Sequence, residues 1–306
     1  MKTVQFEPHR TWLCTLALLC AAFVPSCQGA RTPTGVSQDE RLITIGGPVT
    51  ETVFALGRGD AVVAVDTSSV FPAQAVQRPK VGYQRTISAE GILALRPSRV
   101  LAAEETGPPA AVAQLRSAGI PIEIIPSENS VDGARRKITL IAKLLAVPER
   151  GAQLIAQLDA EVQQAAAQSV ERAPRVLFLY ARGAGTMQVA GGGTSADAMI
   201  ELAGGENAAA ALTGYKPFSA ESLLSARPDV LLLTSRGAES LGGAQAIQLL
   251  PGLSALPAAR HPRVLTLDDL LLLGFGPRTG QAIRELRTKL AAAAAPEAAT
   301  TAVVQR

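Results

Sequence analysis

Short apolar runs alternate with amphipathic stretches from Leu42 to Leu290. Leu42 to Ile45 predicts a strand that stops at Gly46-Gly47-Pro48. Thr50 to Leu56 predicts a helix stopped by Gly57, and Val62 to Val65 a second strand. Asp66 to Val81, with Ser68, Ser69, Pro72 and Pro79, reads as loop. A helix then runs from Ser88 to Leu95 with Ser88 placed to cap it. Val100 to Ala102 is a buried strand, Ala110 to Ala118 a helix closed by Gly119, and Ile122 to Ile125 another strand. Strands alternating with helices at this pace predict a parallel-type α/β lobe. Ser130 to Leu145 and Glu149 to about Val170 predict two helices, with Pro148 opening the second. The second is rich in Ala, Gln and Leu and reads as a rigid bridge, since a flexible linker would carry Gly and Ser. A second lobe follows, with strands at Arg175 to Tyr180, Val230 to Leu233 and Val264 to Leu267. Its helices are Ser195 to Ala203, Ala220 to Ala226 and Gln281 to Leu290.

One stretch is written twice. Gly82-Tyr83-Gln84-Arg85-Thr86-Ile87-Ser88-Ala89-Glu90 runs on to Ala94-Leu95-Arg96-Pro97. Gly214-Tyr215-Lys216-Pro217-Phe218-Ser219-Ala220-Glu221 runs on to Ser225-Ala226-Arg227-Pro228. The offset is 132 residues at the glycines and 131 at the serines. A recurrence at this distance is too long for a solenoid and fits two similar lobes with a cleft between them. The predicted layout is a leader over 1–30, a tether over 31–40 and an N-terminal lobe over 41–129. Helices including the bridge span 130–172, a C-terminal lobe spans 173–292, and a frayed tail spans 293–306.

Composition narrows the setting. Lys2 and Arg10 precede an apolar stretch from Trp12 to Val24, and small residues follow at Ser26 to Ala30, the pattern of a secretory signal peptide. This predicts an exported, periplasmic chain. Cys14, Cys20 and Cys27 all lie in the leader, so the mature fold relies on its core and not on disulfides. Val24-Pro25-Ser26-Cys27 loosely matches a lipoprotein cleavage box, with proline at an awkward place, so lipid attachment at Cys27 stands beside ordinary soluble export. The formal charge of +3 falls to about +2 without the leader, which is no electrostatic footprint for nucleic acid.

The candidate chemistry is aromatic and cationic. The chain has three tyrosines, Tyr83, Tyr180 and Tyr215, and two sit at matched positions in the repeat. A phenolate is a hard anionic oxygen able to ligate ferric haem, and it needs a nearby cation to hold its charge. Arg85 lies two residues after Tyr83 and Lys216 one after Tyr215. Guanidinium also matches the propionates of a porphyrin. The 131-residue offset sets Glu105 against Arg236, both after an apolar strand, and makes Arg236 a candidate cleft cation in a strand-end loop. Each of these residues also has a bland reading, as a turn cap or a solvated side chain. Glu90 and Glu221 occupy one repeat position at a helix start, where carboxylates suit the helix dipole; on the lobe rims they would also suit a two-fold partner with basic pockets. Only His9 and His261 are present, which speaks against a histidine-rich metal site and against histidine acid–base catalysis. No Gly-x-Ser-x-Gly, P-loop or Cys-x-x-Cys pattern occurs. Gly191-Gly192-Gly193 reads as a tight turn into a helix.

These residues resemble a known family. Val81 to Gly91, Gly193 to Met199, Leu202 to Gly205, Gly214 to Pro217 and Gly274-Phe275-Gly276-Pro277-Arg278 are similar to the periplasmic haem-binding proteins of bacterial ABC haem importers. The resemblance covers about Leu42 to Leu290. Its lobe-helix-lobe plan is shared with siderophore and vitamin B12 binding proteins; the Gly-Tyr-x-Arg-Thr-x-Ser-Ala-Glu run is more specific to haem. It implies two Rossmann-like α/β lobes joined by a long rigid helix, with the ligand in the cleft between them. It implies Tyr83 as axial ligand of a ferric haem b and Arg85 beside it; Tyr215, Lys216 and Arg236 stand as candidate pocket residues on the repeat and strand-end reading, with the role of Tyr215 open between lining the pocket and none toward the iron. It implies Glu90 and Glu221 as docking acids for an ABC permease, which couples a monomeric carrier to its ATPase subunit. Some relatives add a histidine ligand in the second lobe, and this chain has none there. The alternatives within the fold are a ferric siderophore or cobalamin as cargo. The alternative class is an exported enzyme using the cleft.

Overall fold

The computed structural model describes Met1, Thr3, Gln5 and residues 40–294, apart from 169–171, 184, 251 and 254–261. The predicted signal peptide with Cys27, most of the tether, His261 and nearly all of the tail lie outside the described residues.

In chain order, β1 is Leu42–Ile45, α1 Gly47–Ala55, β2 Val62–Val65, α2 Ala73–Val76, β3 Gly82–Tyr83 and β4 Thr86–Ile87. Next come α3 Ala89–Ala94, β5 Arg99–Ala103, α4 Pro109–Ser117 and β6 Ile122–Ile125. Then α5 spans Val131–Leu144 and α6 Pro148–Ala166. The second half holds β7 Arg175–Ala181, β8 Met187–Ala190, α7 Ser195–Leu202, β9 Glu206–Asn207, β10 Tyr215–Pro217 and α8 Ala220–Ala226. It closes with β11 Val230–Thr234, α9 Ser235–Ser240, α10 Gly243–Gln248, β12 Arg263–Leu267, α11 Asp269–Leu273 and α12 Thr279–Ala294.

The first lobe is a parallel sheet in the order β2-β1-β5-β6. Successive side chains on a strand point to opposite faces, and β5 shows what that does. Leu101 and Ala103 join the core under α1 and α5, while Val100 and Ala102 join the core on the other face with Ile92 of α3 and Leu115 of α4. The second lobe has the order β10-β8-β7-β11-β12, with β9 beside β7. β7, β11 and β12 are parallel, and β8 and β10 are antiparallel additions. Val176, Phe178, Val230 and Leu232 face α7 and α12, and Leu177, Leu179, Leu231 and Leu233 face α8 and α10. Both sheets are covered on both sides, which is why their strands read as nearly continuous apolar runs.

The repeat is structural. β5 and β11 are offset by 131 residues at both ends, and α3 and α8 precede them in the same way. Ser88 Oγ accepts from the Gly91 N–H at 3.1 Å, and Ser219 Oγ accepts from the Ser222 N–H at 3.0 Å. Both helices end on a left-handed arginine before proline, Arg96 at φ 46° and Arg227 at φ 43°. A residue before proline is steered out of the right-handed helix, so Arg-Pro terminates both.

The first half of α6 packs with α5 on the first lobe's core through Leu158, and its second half enters the other lobe's core through Ala165, with Val162 touching both. The helix expected from Glu149 to about Val170 stops at Ala166. α1 begins at Gly47 and not Thr50, because Pro48 fits a first helical turn. Among the described residues, no helix is long and apolar enough to cross a membrane.

Candidate functional site

The Gly82-Tyr83 segment is a two-residue strand in a tight hairpin and not an open loop. β3 and β4 pair antiparallel, Gly82 with Ile87 and Tyr83 with Thr86, leaving Gln84 and Arg85 at the tip. Gly82 is required here: its φ is 104°, and a Cβ would lie 2.9 Å from the Thr86 carbonyl. The hairpin is tied down by backbone bonds, from Thr67 N–H to the Gly82 carbonyl, from Ile87 N–H to the Gly107 carbonyl and from Gly107 N–H to the Gln84 carbonyl, each 2.9 Å. A rigid mount therefore presents Tyr83, which remains 39% exposed. Arg85 is exposed beside it, and among the described residues no side-chain bond holds its guanidinium.

The facing group comes from the second lobe. β7 ends in Tyr180-Ala181, and from Arg182, the next residue, the Nε–H donates to the Tyr180 phenol oxygen. The Arg182 guanidinium also lies 5.6 Å from the Tyr180 ring centroid. Tyr215 on β10 meets Tyr180 edge-on, with ring centroids 6.0 Å apart and planes at 65°. Hydrogen bonding to Tyr180 holds Arg182 charged above the usual arginine range, then Tyr180's own charge does so, and at longer range the Tyr83 phenol and the Asp269 carboxylate. Tyr83 of one lobe is thus within electrostatic reach of Arg182 of the other. Tyr180 and Tyr215 are in direct ring contact, and Tyr83 is related to them through Arg182.

Burial pushes the Tyr215 phenol up from its ordinary value, a hydrogen bond with the Ser195 side chain works the other way, and Tyr180 pushes it up again. Arg236 is not in a loop as expected but on the one-and-a-half-turn helix α9, because Thr234 Oγ1 accepts from the Gly237 N–H at 3.1 Å and caps it. The Arg236 backbone N–H donates to Asp269 Oδ2 at 3.2 Å, so Asp269 links it to the Arg182 cluster. Lys216 pairs across from Val189 on β10, and strand alternation sends it to the face opposite Tyr215. Glu105, at the equivalent position of the first lobe, accepts at Oε2 from Ser127 Oγ at 2.9 Å. Glu90 and Glu221 are exposed in the first turns of α3 and α8, one on each lobe.

Sequence reasoning singled out neither Tyr180 nor Arg182. The signal was a second Tyr-x-Arg, since Tyr83-Gln84-Arg85 is echoed by Tyr180-Ala181-Arg182. Among the described residues no three His, Cys, Asp or Glu side chains cluster as metal ligands. A cavity of about 540 Å³ exists elsewhere, lined by Phe54, Phe71, Arg78, Glu161 and Arg278, and it contains none of the tyrosines.

The chain has clear relatives. The family model described as periplasmic binding protein matches residues 42–271. Periplasmic heme-binding protein RhuT from Roseiflexus sp. RS-1, in apo form, is 46% identical with a TM-score of 0.80; the match covers 84% of this chain and 99% of that one. Periplasmic heme-binding protein BhuT in complex with two hemes is 43% identical with a TM-score of 0.79, over 84% and 99% of the two chains. The vitamin B12-binding protein of Vibrio parahaemolyticus is 27% identical over 248 residues, 81% of this chain and 88% of that one.

Proposed function

The chain belongs to the periplasmic binding protein family, and from that premise we propose that it is the haem-binding component of an ABC importer. The observations that carry this are the Tyr180–Tyr215 ring contact and the Tyr180–Arg182 hydrogen bond on the second lobe, with Tyr83 on the first-lobe hairpin within electrostatic reach of Arg182. Haem is the cargo, and no chemistry is done on it. Tyr83 supplies a phenolate to ferric iron, a hard anionic oxygen for a hard cation. Arg85 is its exposed neighbour on the hairpin, and Arg182 lies within electrostatic reach from the second lobe. Tyr215 lines the pocket as a neutral ring. Arg236 is the candidate cation for the propionates, while Lys216, on the face of β10 opposite Tyr215, is not placed to share that role. Glu90 and Glu221 offer one exposed carboxylate per lobe to basic pockets on a permease that works with an ATPase subunit. The leader directs the chain to the periplasm, with Cys27 available for a lipid.

Titration of the purified protein with hemin and, separately, with cyanocobalamin tests this. Saturable hemin binding with a high-spin ferric tyrosinate-type spectrum is expected. Saturable cobalamin binding without hemin binding would move the cargo to the B12-type relatives.

The Tyr180–Arg182 hydrogen bond favours a second reading. Each lobe carries a Tyr-x-Arg pair, so the cleft has a phenol–guanidinium unit for a haem on either wall, as BhuT holds two hemes. Two hemins per chain in the native protein, falling to one in Tyr180→Phe, is the expected result of that reading.

A further inference from the structure

The run Gly274-Phe275-Gly276-Pro277-Arg278 takes no part in the tyrosine cluster. It is the strap between α11 and α12, and groups from three separate parts of the first lobe and its helices converge on it. Arg278 forms a bidentate pair with Glu51 of α1, Nε to Oε1 at 2.8 Å and Nη2 to Oε2 at 2.9 Å. Glu51 is only 4% exposed. The Arg278 guanidinium also lies 3.7 Å from the ring centroid of Phe71, on the loop after β2. From α5, Lys137 Nζ donates to the Phe275 carbonyl at 3.0 Å and approaches the Gly274 carbonyl at 3.5 Å. Phe275 is buried and held in the left-handed region at φ 46°, a strained conformation that persists only where the surroundings over-determine it. Gly274 admits no side chain, since a Cβ there would collide with the Leu270 carbonyl and lie 3.3 Å from Pro48.

These contacts cross from one lobe to the other. A planar guanidinium paired at both nitrogens and stacked on a ring has a fixed direction, unlike a lone charge on a flexible stem. An ammonium on two successive carbonyls fixes the strap's height as well. Burial makes each bond costly to leave unmade. The α6 bridge alone would let the lobes hinge about its two ends; the strap supplies a second attachment point and removes that freedom.

We propose that this strap is a clasp that sets the width of the cleft, and that Glu51, Phe71, Lys137 and Arg278 are positioning residues for haem capture. They act through lobe spacing and touch no ligand. The haem part of this statement rests on the functional reading above; the spacing part does not. The Gly-Phe-Gly-Pro-Arg run is thereby assigned a role that the binding site leaves unexplained.

The test uses the full chain with Cys14, Cys20 and Cys27 replaced by serine, and spin labels at Glu90→Cys and Glu221→Cys, one on each lobe. In Arg278→Ala and in Phe71→Leu the label–label distance distribution should broaden and shift. Hemin transfer to an apomyoglobin acceptor should speed up about tenfold in Arg278→Ala, as expected when an interaction loss appears in the off-rate. Arg278→Lys keeps the charge but not the fork, and should behave like the alanine variant. Phe71 is 40% exposed, so Phe71→Leu keeps the question answerable if Arg278→Ala does not fold. An unchanged distance distribution in folded variants, with transfer within twofold of wild type, overturns the clasp. Absence of hemin binding in the wild-type protein would sink the cargo assignment alone, and the distance measurement would still decide the clasp.

Discussion

Replacing Lys137 with methionine turns one buried ammonium into a stability measurement. Lys137 is 4% exposed, and burial lowers its pKa from 10.5 to about 8, against the pull of Glu105, Glu51 and Glu128. Below about pH 8 the native and unfolded chains both hold the proton, and this group contributes no slope. Between about 8 and 10.5 the unfolded chain keeps the proton while the native one has released it, so stability rises with pH. At about 1.4 kcal/mol per pKa unit the full rise is about 3 kcal/mol. Near neutrality the substitution removes a desolvated charge, which stabilises, and strips the Phe275 carbonyl of its donor, which costs about 1–3 kcal/mol. The two effects oppose each other there. Urea unfolding of both proteins at pH 7, 8, 9 and 10 isolates the group, because titrations common to both cancel in the difference. The wild-type advantage should widen by about 2–3 kcal/mol across that range. A difference that stays constant with pH would refute the argument and mean that Lys137 keeps its ordinary affinity for the proton.

Other expectations follow from single contacts. Gly82→Ala puts a Cβ against the Thr86 carbonyl at φ 104°; thermal melts should show a loss of at least about 1 kcal/mol, and hemin affinity should fall with it because the Tyr83 mount is displaced. Ser219→Ala removes one half of a reciprocal cap with Ser222, so urea unfolding should register about 1 kcal/mol of destabilisation with hemin affinity unchanged. Tyr215→Phe keeps the ring and deletes a phenol that burial holds neutral, so the visible spectrum of the hemin complex should match wild type.

Much of this was legible because the local physics is local. Ser88 and Ser219 announce their helices, Arg-Pro ends both, and continuous apolar runs such as Val100 to Ala102 mark strands buried on two faces. The Gly82-Tyr83 segment, by contrast, reads as loop and pairs as a hairpin, and α6 ends at Ala166, short of residue 170. Tyr180 was hidden because it ends the apolar run Val176 to Leu179 and reads as core; only its third-place arginine distinguishes it. Lys216 looked equivalent to Arg85, yet a three-residue strand sends it away from Tyr215, and the sequence does not reveal that such a short segment pairs with β8. Arg236 was expected in a loop, and the Thr234 cap makes a helix there. The strap was quoted as a motif without a role, since its partners Glu51, Phe71 and Lys137 lie far away in sequence and meet it only through the packing of two lobes on one helix.

The central claim is that the Tyr83 oxygen holds ferric haem iron. The visible spectrum of the hemin complex, recorded for wild type and Tyr83→Phe under identical loading, tests it most directly. A tyrosinate-type high-spin spectrum in the wild type that disappears in the variant, together with weaker hemin retention, is the predicted result. Identical spectra and retention in the two proteins would contradict it.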